Sequence, residues 1–381
     1  MLQENTRPNI STPPIPAEDL TRQYLLIENE IHQAINRVLP AGRYVLGPEL
    51  AAFEQEFAAF CGTRYAIGVS NGTDALQLAL IACGIGPGDE VITVPNTYIA
   101  TVFAITYVGA IPVFVDVDPA TYNMNPNLLE AAITEHARAI IPVHLYGQPC
   151  EMEPILAIAR KYGLRVIEDT AHAHGAYFHD APAGSFGDVG CFSFYPTKTF
   201  GAFGDAGAIV TSDQEIDALL RQLRYMGQKV KHHHEIIGYQ KRMDELQAAI
   251  LRVKLPHLSA WIARRQAIAA RYRELLAGTP LVLPYVAPNR THAYYLYTVL
   301  APRRDELRDY LTERGIGTQI IYPILVPDQS AYRDQPIRCG SIPVARSLVD
   351  QLLCLPMFPE LRDDEIDRVA ATIQDFFGGS H

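Results

Sequence analysis

Tyr65-Ala66-Ile67-Gly68-Val69-Ser70-Asn71-Gly72-Thr73-Asp74-Ala75-Leu76 opens the unit that decides the fold. A β-rich run over 65–69 meets a turn of small and helix-capping residues, and a helix-like stretch follows over 73–83. Gly84-Ile85-Gly86-Pro87-Gly88 then turns the chain into a second β-rich run, Glu90–Val94. Outward from this strand–helix–strand unit the pattern repeats. Further runs stand at Pro112–Asp116, Ala139–Val143, Arg165–Glu168, Cys191–Phe194 and Ala208–Thr211, with helix-like stretches at 98–108, 126–133 and 151–162. Strands separated by helices need crossover connections, so the expected architecture is α/β, a mostly parallel sheet covered by helices. Ligands of such sheets bind at the carboxyl ends of the strands, which directs attention to the residues just after each run.

Toward the ends the pattern changes. Residues 1–15 read as a disordered leader, with Pro8, Pro13 and Pro14 and few apolar anchors. A helical pattern runs from Leu20 to Val38, and Gly42 and Gly47-Pro48 punctuate a loop. A long helical segment, Met243–Ala277, is broken near Pro256. Beyond it Tyr294–Leu300 and Gly317–Ile321 read as strands and 303–314 and 362–377 as helices. The expected division is a large domain over 16–255, its first helix free to pack elsewhere, and a smaller C-terminal α+β domain over 256–381.

Composition bounds the function. The chain has 381 residues, 48% of them hydrophobic and 19% charged, and a formal charge of −10. That composition supports a packed core, and the acidic balance without a Lys/Arg run argues against nucleic acid as a partner. Six cysteines stand singly with no CxxC, as in a reduced cytosolic protein. Tyr98–Val115 runs eighteen residues without a charge. Gly109 and Pro112 interrupt it, so it reads as a buried helix, a turn and a buried strand rather than a membrane span.

Four places could carry chemistry. Ser70-Asn71-Gly72-Thr73-Asp74 suits either an anion at a helix N-terminus or an ordinary capped turn. Gly84–Gly88 imitates a dinucleotide fingerprint, but it follows a helix and leads into a strand, the reverse of the required order, and is a turn. Val166-Ile167-Glu168-Asp169 ends a buried strand in two carboxylates, either salt-bridged or functional, because a buried carboxylate needs a cationic partner. His172 and His174 follow, without further ligands at metal-binding spacing, so no metal is assigned. Finally, Lys198 stands in an apolar, Gly-rich setting after the run ending at Phe194. Poor solvation there lowers an amine's pKa and makes it a nucleophile toward carbonyls. His232-His233-His234 is read as a loop, and Trp261, Tyr294, Tyr295 and Tyr297 as core or interface.

These features stand in a familiar order. The sequence resembles the DegT/DnrJ/EryC1/StrS family of sugar aminotransferases, pyridoxal phosphate enzymes of fold type I, from about Ile15 to Phe377. The resemblance is carried by Gly47-Pro48-Glu49, Asn71–Leu76, Pro95–Thr101, Glu168–Gly175, Phe192–Lys198 and Arg242–Ala249. It implies that Lys198 bonds the cofactor covalently and later moves the proton as base and acid. By the same resemblance Asp169 pairs with the pyridinium nitrogen. Gly72, Thr73 and the Ser193 hydroxyl hold the phosphate, Tyr98 stacks on the ring, and His172 stands near the ring oxygen. Gln240 and Arg242 are implied to reach the neighbouring subunit's site in a homodimer, Gln240 toward cofactor and Arg242 toward substrate, with Tyr322 also on the substrate.

The implied reaction is transamination of a nucleotide-linked keto-sugar with glutamate as donor, at C3 of a dTDP-linked 6-deoxyhexose, in a cytoplasmic enzyme. Amination at C4, a 3-oxo-glucuronate substrate and a non-catalytic pyridoxal phosphate-binding relative are the alternatives weighed. A nicotinamide oxidoreductase lacks its fingerprint here. Three departures from the family pattern stand out: His172 where Gln is common, which would make activity pH-sensitive if the ring protonates; Gln240 where Asn is usual; and Ile321 in place of His before Tyr322-Pro323.

Overall fold

The computed structural model describes residues 13–378. The expected leader thus lies, for residues 1–12, outside the described residues, while Ile15 is buried and bridges to Ile316. α1 (Leu20–Ala41) starts where the Asp19 carboxylate accepts the N–H groups of Thr21 and Arg22, and stops at left-handed Gly42.

α2 (Pro48–Phe60) begins at the end of the loop that Gly42 and Gly47-Pro48 punctuate, over residues to which the sequence reading assigns no element. The fixed φ and missing N–H of Pro48 suit the first position of a helix. The remaining first-turn donors go to a distant side chain. Glu245 Oε1 accepts from Gly47 N at 2.6 Å and Leu50 N at 3.1 Å, and Oε2 from Glu49 N at 2.9 Å. Glu245 is 1% exposed. Glu245→Ala would strand these donors away from water, so the expected loss is about 3 kcal/mol, read as a lower urea midpoint at unchanged slope.

β1 (Tyr65–Val69), α3 (Gly72–Ala82), β2 (Glu90–Thr93), α4 (Ile99–Tyr107) and β3 (Ile111–Phe114) alternate as expected. So do α5 (Leu129–Ala132), β4 (Ala137–Ile140), α6 (Met152–Tyr162) and β5 (Arg165–Asp169). A hairpin, β6 (Tyr177–Phe178) and β7 (Ala181–Pro182), leads to β8 (Val189–Ser193) and β9 (Gly207–Thr211). α7 (Gln214–Leu223) and an exposed hairpin, β10 (Gln228–Val230) and β11 (His233–His234), precede α8 (Glu245–Lys254) and α9 (Leu258–Leu275). The rest comprises β12 (Tyr297–Leu300), α10 (Arg304–Glu313), β13 (Arg338–Cys339), α11 (Pro343–Val349), β14 (Leu352–Leu355) and α12 (Asp363–Gly378).

Eight strands form one sheet in the order β1-β9-β8-β5-β4-β2-β3-β13. Every neighbouring pair from β8 to β13 is parallel, and β9 runs antiparallel to both β1 and β8. The fold is the expected α/β, mostly parallel and covered by helices. Its strands read as continuous apolar runs because both faces are buried, as Val91, Ile92, Ile140 and Ile167 show. The uncharged run 98–115 resolves into α4, a turn at Gly109 (φ 79°) and β3. Among the described residues no helix is long and apolar enough to cross a membrane.

Two expected strands differ. Tyr294–Leu300 shortens to β12 because Tyr294 takes a left-handed φ of 46°. Gly317–Ile321 is not a strand. Its backbone divides its bonds between Ile15, which accepts from Gly317, and Cys354, which pairs with Gln319, leaving no continuous ladder. A second apolar cluster gathers Ile15, Tyr272, Tyr297, Leu311, Leu353 and Ile373 beside the sheet.

Candidate active site

β5 and β8 run side by side and parallel, so their ends bring Asp169 and Ser193 to one edge of the sheet. α3 begins at the same edge. Its N-cap, Asn71, accepts Asp74 N at 2.8 Å, and among the described residues the N–H groups of Gly72 and Thr73 donate to no protein acceptor. A Cβ on Gly72 would stand 2.7 Å from Ser193 Cβ, so only glycine lets this turn approach the strand end. Ser193 Oγ accepts Tyr195 N at 3.3 Å, which leaves its own hydrogen to donate. Two free N–H groups, a helix dipole and a hydroxyl converge here, a fit for phosphate.

These groups line one cavity of about 610 Å3, together with Tyr98, Asp169, His172, Lys198, Tyr295 and Tyr322. Asp169 is 6% exposed. Thr101 Oγ1 donates to its Oδ2 at 2.8 Å and Ala171 N to its Oδ1 at 3.2 Å. Burial raises its pKa, and these donors and Lys198 oppose the rise. A buried carboxylate facing a cavity with a single lysine suits a ligand that carries its own positive charge.

Lys198 Nζ lies 4.5 Å from the centroid of the Tyr295 ring. Burial lowers its pKa to about 8, with Asp169 and Glu18 holding it up. Near neutrality a fraction of the amine is free, which a nucleophile and proton carrier requires.

The His172 ring is oriented by its neighbours. Its Nδ1 accepts Tyr146 N at 3.3 Å, so the ring hydrogen belongs on Nε2, which faces the Tyr322 hydroxyl at 3.5 Å. Burial and nearby Lys198 push its pKa well down. Both effects favour the neutral ring, with its hydrogen on Nε2 free to donate.

Glu168, adjacent to Asp169, points away from the cavity. It accepts N–H groups from Gly184, Phe186 and Gly187 and faces His144 Nε2 at 2.8 Å. His174 lies among the rings of Phe192, Phe194 and Phe200.

Of the residues singled out from sequence, Gly72, Thr73, Tyr98, Asp169, His172, Ser193, Lys198 and Tyr322 line the cavity. Gln240 and Arg242 do not: Gln240 is exposed, and the Arg242 guanidinium sits 5.4 Å from the centre of the Tyr225 ring. Tyr295, read from sequence as core or interface, forms a cavity wall. Thr101 was quoted only as motif; its bond to Asp169 spans 68 positions and leaves no local mark in the sequence.

The family model for the DegT/DnrJ/EryC1/StrS aminotransferases matches residues 26–374. The chain is 46% identical to the dTDP-3-amino-3,4,6-trideoxy-α-D-glucose transaminase of Streptomyces venezuelae, over 96% of this chain and 97% of that one. It is 45% identical to the UDP-N-acetyl-3-dehydro-α-D-glucosamine 3-aminotransferase of Acidithiobacillus ferrooxidans, over 94% and 97%. Among solved structures it superposes on S. venezuelae DesV in complex with a ketimine intermediate, at TM-score 0.93 and 46% identity, covering 96% and 99% of the two chains. With its sheet, cavity and lysine arranged as described, the chain belongs to the DegT/DnrJ/EryC1/StrS family and is a pyridoxal phosphate-dependent aminotransferase.

Proposed function

We propose that this protein moves an amino group from glutamate to C3 of a dTDP-linked 3-keto-6-deoxyhexose, releasing a 2-oxo acid and the amino sugar. The observation that carries the reading is Lys198 above Tyr295, in one cavity with buried Asp169 and the free N–H groups of Gly72 and Thr73. The relative from S. venezuelae, named for a dTDP-linked 3-amino sugar, supports the position and the nucleotide.

Pyridoxal phosphate supplies an electron sink when bound. Gly72 N, Thr73 N and Ser193 Oγ would hold its phosphate, Tyr98 would cover its ring, and His172 Nε2–H would donate to the ring oxygen. Asp169 would keep a proton on the ring nitrogen. Lys198 Nζ takes the proton from the amino-bearing carbon of the donor and returns one to the sugar carbon, so the same amine serves both halves of the reaction. In this reading the large domain, 16–255, supplies these groups and the smaller one, 256–381, adds Tyr295 and Tyr322. The protein acts as a cytoplasmic homodimer in which Gln240 and Arg242 serve the neighbouring site. The exposed Leu26, Val230 and Ile237 are consistent with a covered face.

A UDP-linked 3-keto sugar is the second reading, favoured by the name of the A. ferrooxidans relative. The test is turnover of glutamate with dTDP-3-keto-6-deoxyglucose, a UDP-linked 3-keto sugar and a dTDP-linked 4-keto sugar, with product position assigned by NMR. The dTDP-3-keto compound is expected to have the highest kcat/KM. Amination of the 4-keto sugar alone would end the C3 assignment.

A further inference from the structure

Lys198 has a second acidic neighbour that does not belong to the sheet. The segment before α1 is clamped on both sides: Ile15 N donates to Gly315 O at 2.8 Å, Gly317 N to Ile15 O at 2.8 Å, and Met357 N to Ala17 O at 3.3 Å. Asp19 then caps α1. Between these anchors Glu18 projects into a small cavity with Tyr295, Leu296, Gln319, Cys354 and Met357. Tyr295 is shared: it walls this cavity and the large one, where its ring carries Lys198 Nζ at 4.5 Å.

The Glu18 carboxyl, half-buried, accepts no hydrogen bond among the described residues. Arg265 on α9, the cation that pulls hardest on this carboxyl, is occupied elsewhere, donating Nη1 to the carbonyls of Tyr294, Tyr295 and Met357. A carboxyl placed beside cations without a bond to any of them acts through its field.

We propose that Glu18 is a positioning residue for Lys198: from beyond the Tyr295 ring it supplies the second negative charge, after Asp169, against which the catalytic lysine holds its proton.

The groups around the pair are few. Facing Lys198 are Asp169 at the end of β5, His172 and His174 after it, Tyr295 and Tyr322; facing Glu18 are Tyr295 and Cys354 in its cavity and the charges of Arg265 and Lys198, with Glu360 also acting on Arg265. Burial lifts the Glu18 carboxyl to about 7, and Arg265 and Lys198 pull it down. The Glu18 charge therefore appears in the range where Lys198 must alternate between amine and ammonium. A nearby anion favours the ammonium, so removing it must lower the lysine's midpoint.

This inference rests on Lys198 being the catalytic lysine, and its test separates the two. Cofactor-free protein is treated with an amine-reactive acylating reagent across pH, and the rate at Lys198 is followed by peptide mass spectrometry. In Glu18→Gln the midpoint of that rate is expected to fall by roughly half a pH unit or more, with Glu18→Asp restoring part of it. Glu18→Leu, which removes charge and polarity together, should move it the same way. In cofactor-loaded protein the pH midpoint of the visible absorbance should fall in parallel. An unmoved or raised midpoint in a folded Glu18→Gln protein would overturn the proposal. Failure of the wild-type protein to take up pyridoxal phosphate would instead strike the reading of Lys198, and leaves the acylation midpoints free to decide on Glu18.

Discussion

Lys198→Ala is expected to lower transamination by roughly 10^4-fold or more without weakening the fold. The first half follows from the two uses of one amine. No other lysine lines the cavity, and Asp74, Asp169 and Asp205 on its walls cannot replace a base that must also carry a positive charge. The second half is the sharper discriminator. Among the described residues Lys198 Nζ makes no hydrogen bond, and burial has already lowered its pKa from 10.5 to about 8. A lysine that binds its proton less tightly folded than unfolded costs the folded state stability. That cost is fully present below about pH 8 and fades as pH rises toward 10.5. Removing the side chain should therefore stabilise cofactor-free protein at pH 7, by roughly 1–2 kcal/mol after the loss of its packing against Tyr295. The gain should shrink between pH 8 and 10. Urea titrations at pH 7 and pH 10 measure it. A destabilised variant at pH 7 would mean that Lys198 holds the structure together, and its activity loss would then carry no weight as evidence for chemistry.

What the sequence disclosed about this site follows the range of the interactions. The turn at Gly72, the strand-end carboxylate Asp169 and the apolar surroundings of Lys198 are local patterns, each with a physical cost that a reader of sequence can see. Asn71 caps the helix that follows by accepting the N–H three residues on, and Gly72 must be glycine because Ser193 stands against it. Contacts made by distant segments left no such trace. The tautomer of His172 depends on Tyr146, whose φ of 59° aims its N–H at the imidazole. The sequence leaves open whether the His172 ring protonates; that bond and burial favour its neutral form. Tyr295 reads as core or interface in the sequence, and its place beside Lys198 depends on how the segment before β12 packs against Tyr146 and His172. Pro48 shows one local signal with two meanings, since it closes the loop after Gly42 and also opens α2. Gln240 and Arg242 entered by resemblance alone, and a single chain leaves both outside its cavity.

Asp169→Asn is the second large effect, and its surroundings make it a clean one. The carboxylate accepts two bonds, from Thr101 Oγ1 at 2.8 Å and Ala171 N at 3.2 Å. An asparagine can keep its oxygen on Ala171 and turn its amide NH2 to Thr101. The threonine hydroxyl then reverses, because Thr97 Oγ1 lies 2.7 Å away and accepts the hydrogen in exchange. Each polar group stays bonded and the shape is unchanged, so stability should move by less than about 1 kcal/mol. The loss is electrostatic. An amide carries no charge and cannot hold a proton on a ring nitrogen, so the electron sink on which Lys198 depends is weakened at the moment charge develops. Turnover should fall by roughly 10^3-fold, with cofactor retained on the Gly72–Thr73–Ser193 anchor and the lysine still reactive. Stopped-flow measurement of the half-reaction with glutamate alone isolates the step, because it needs no sugar. If the Asn variant kept a tenth of the wild-type half-reaction rate, the buried carboxylate would be a structural acceptor for Thr101 and Ala171, and the cavity's electrostatic logic would have to rest on Lys198 alone.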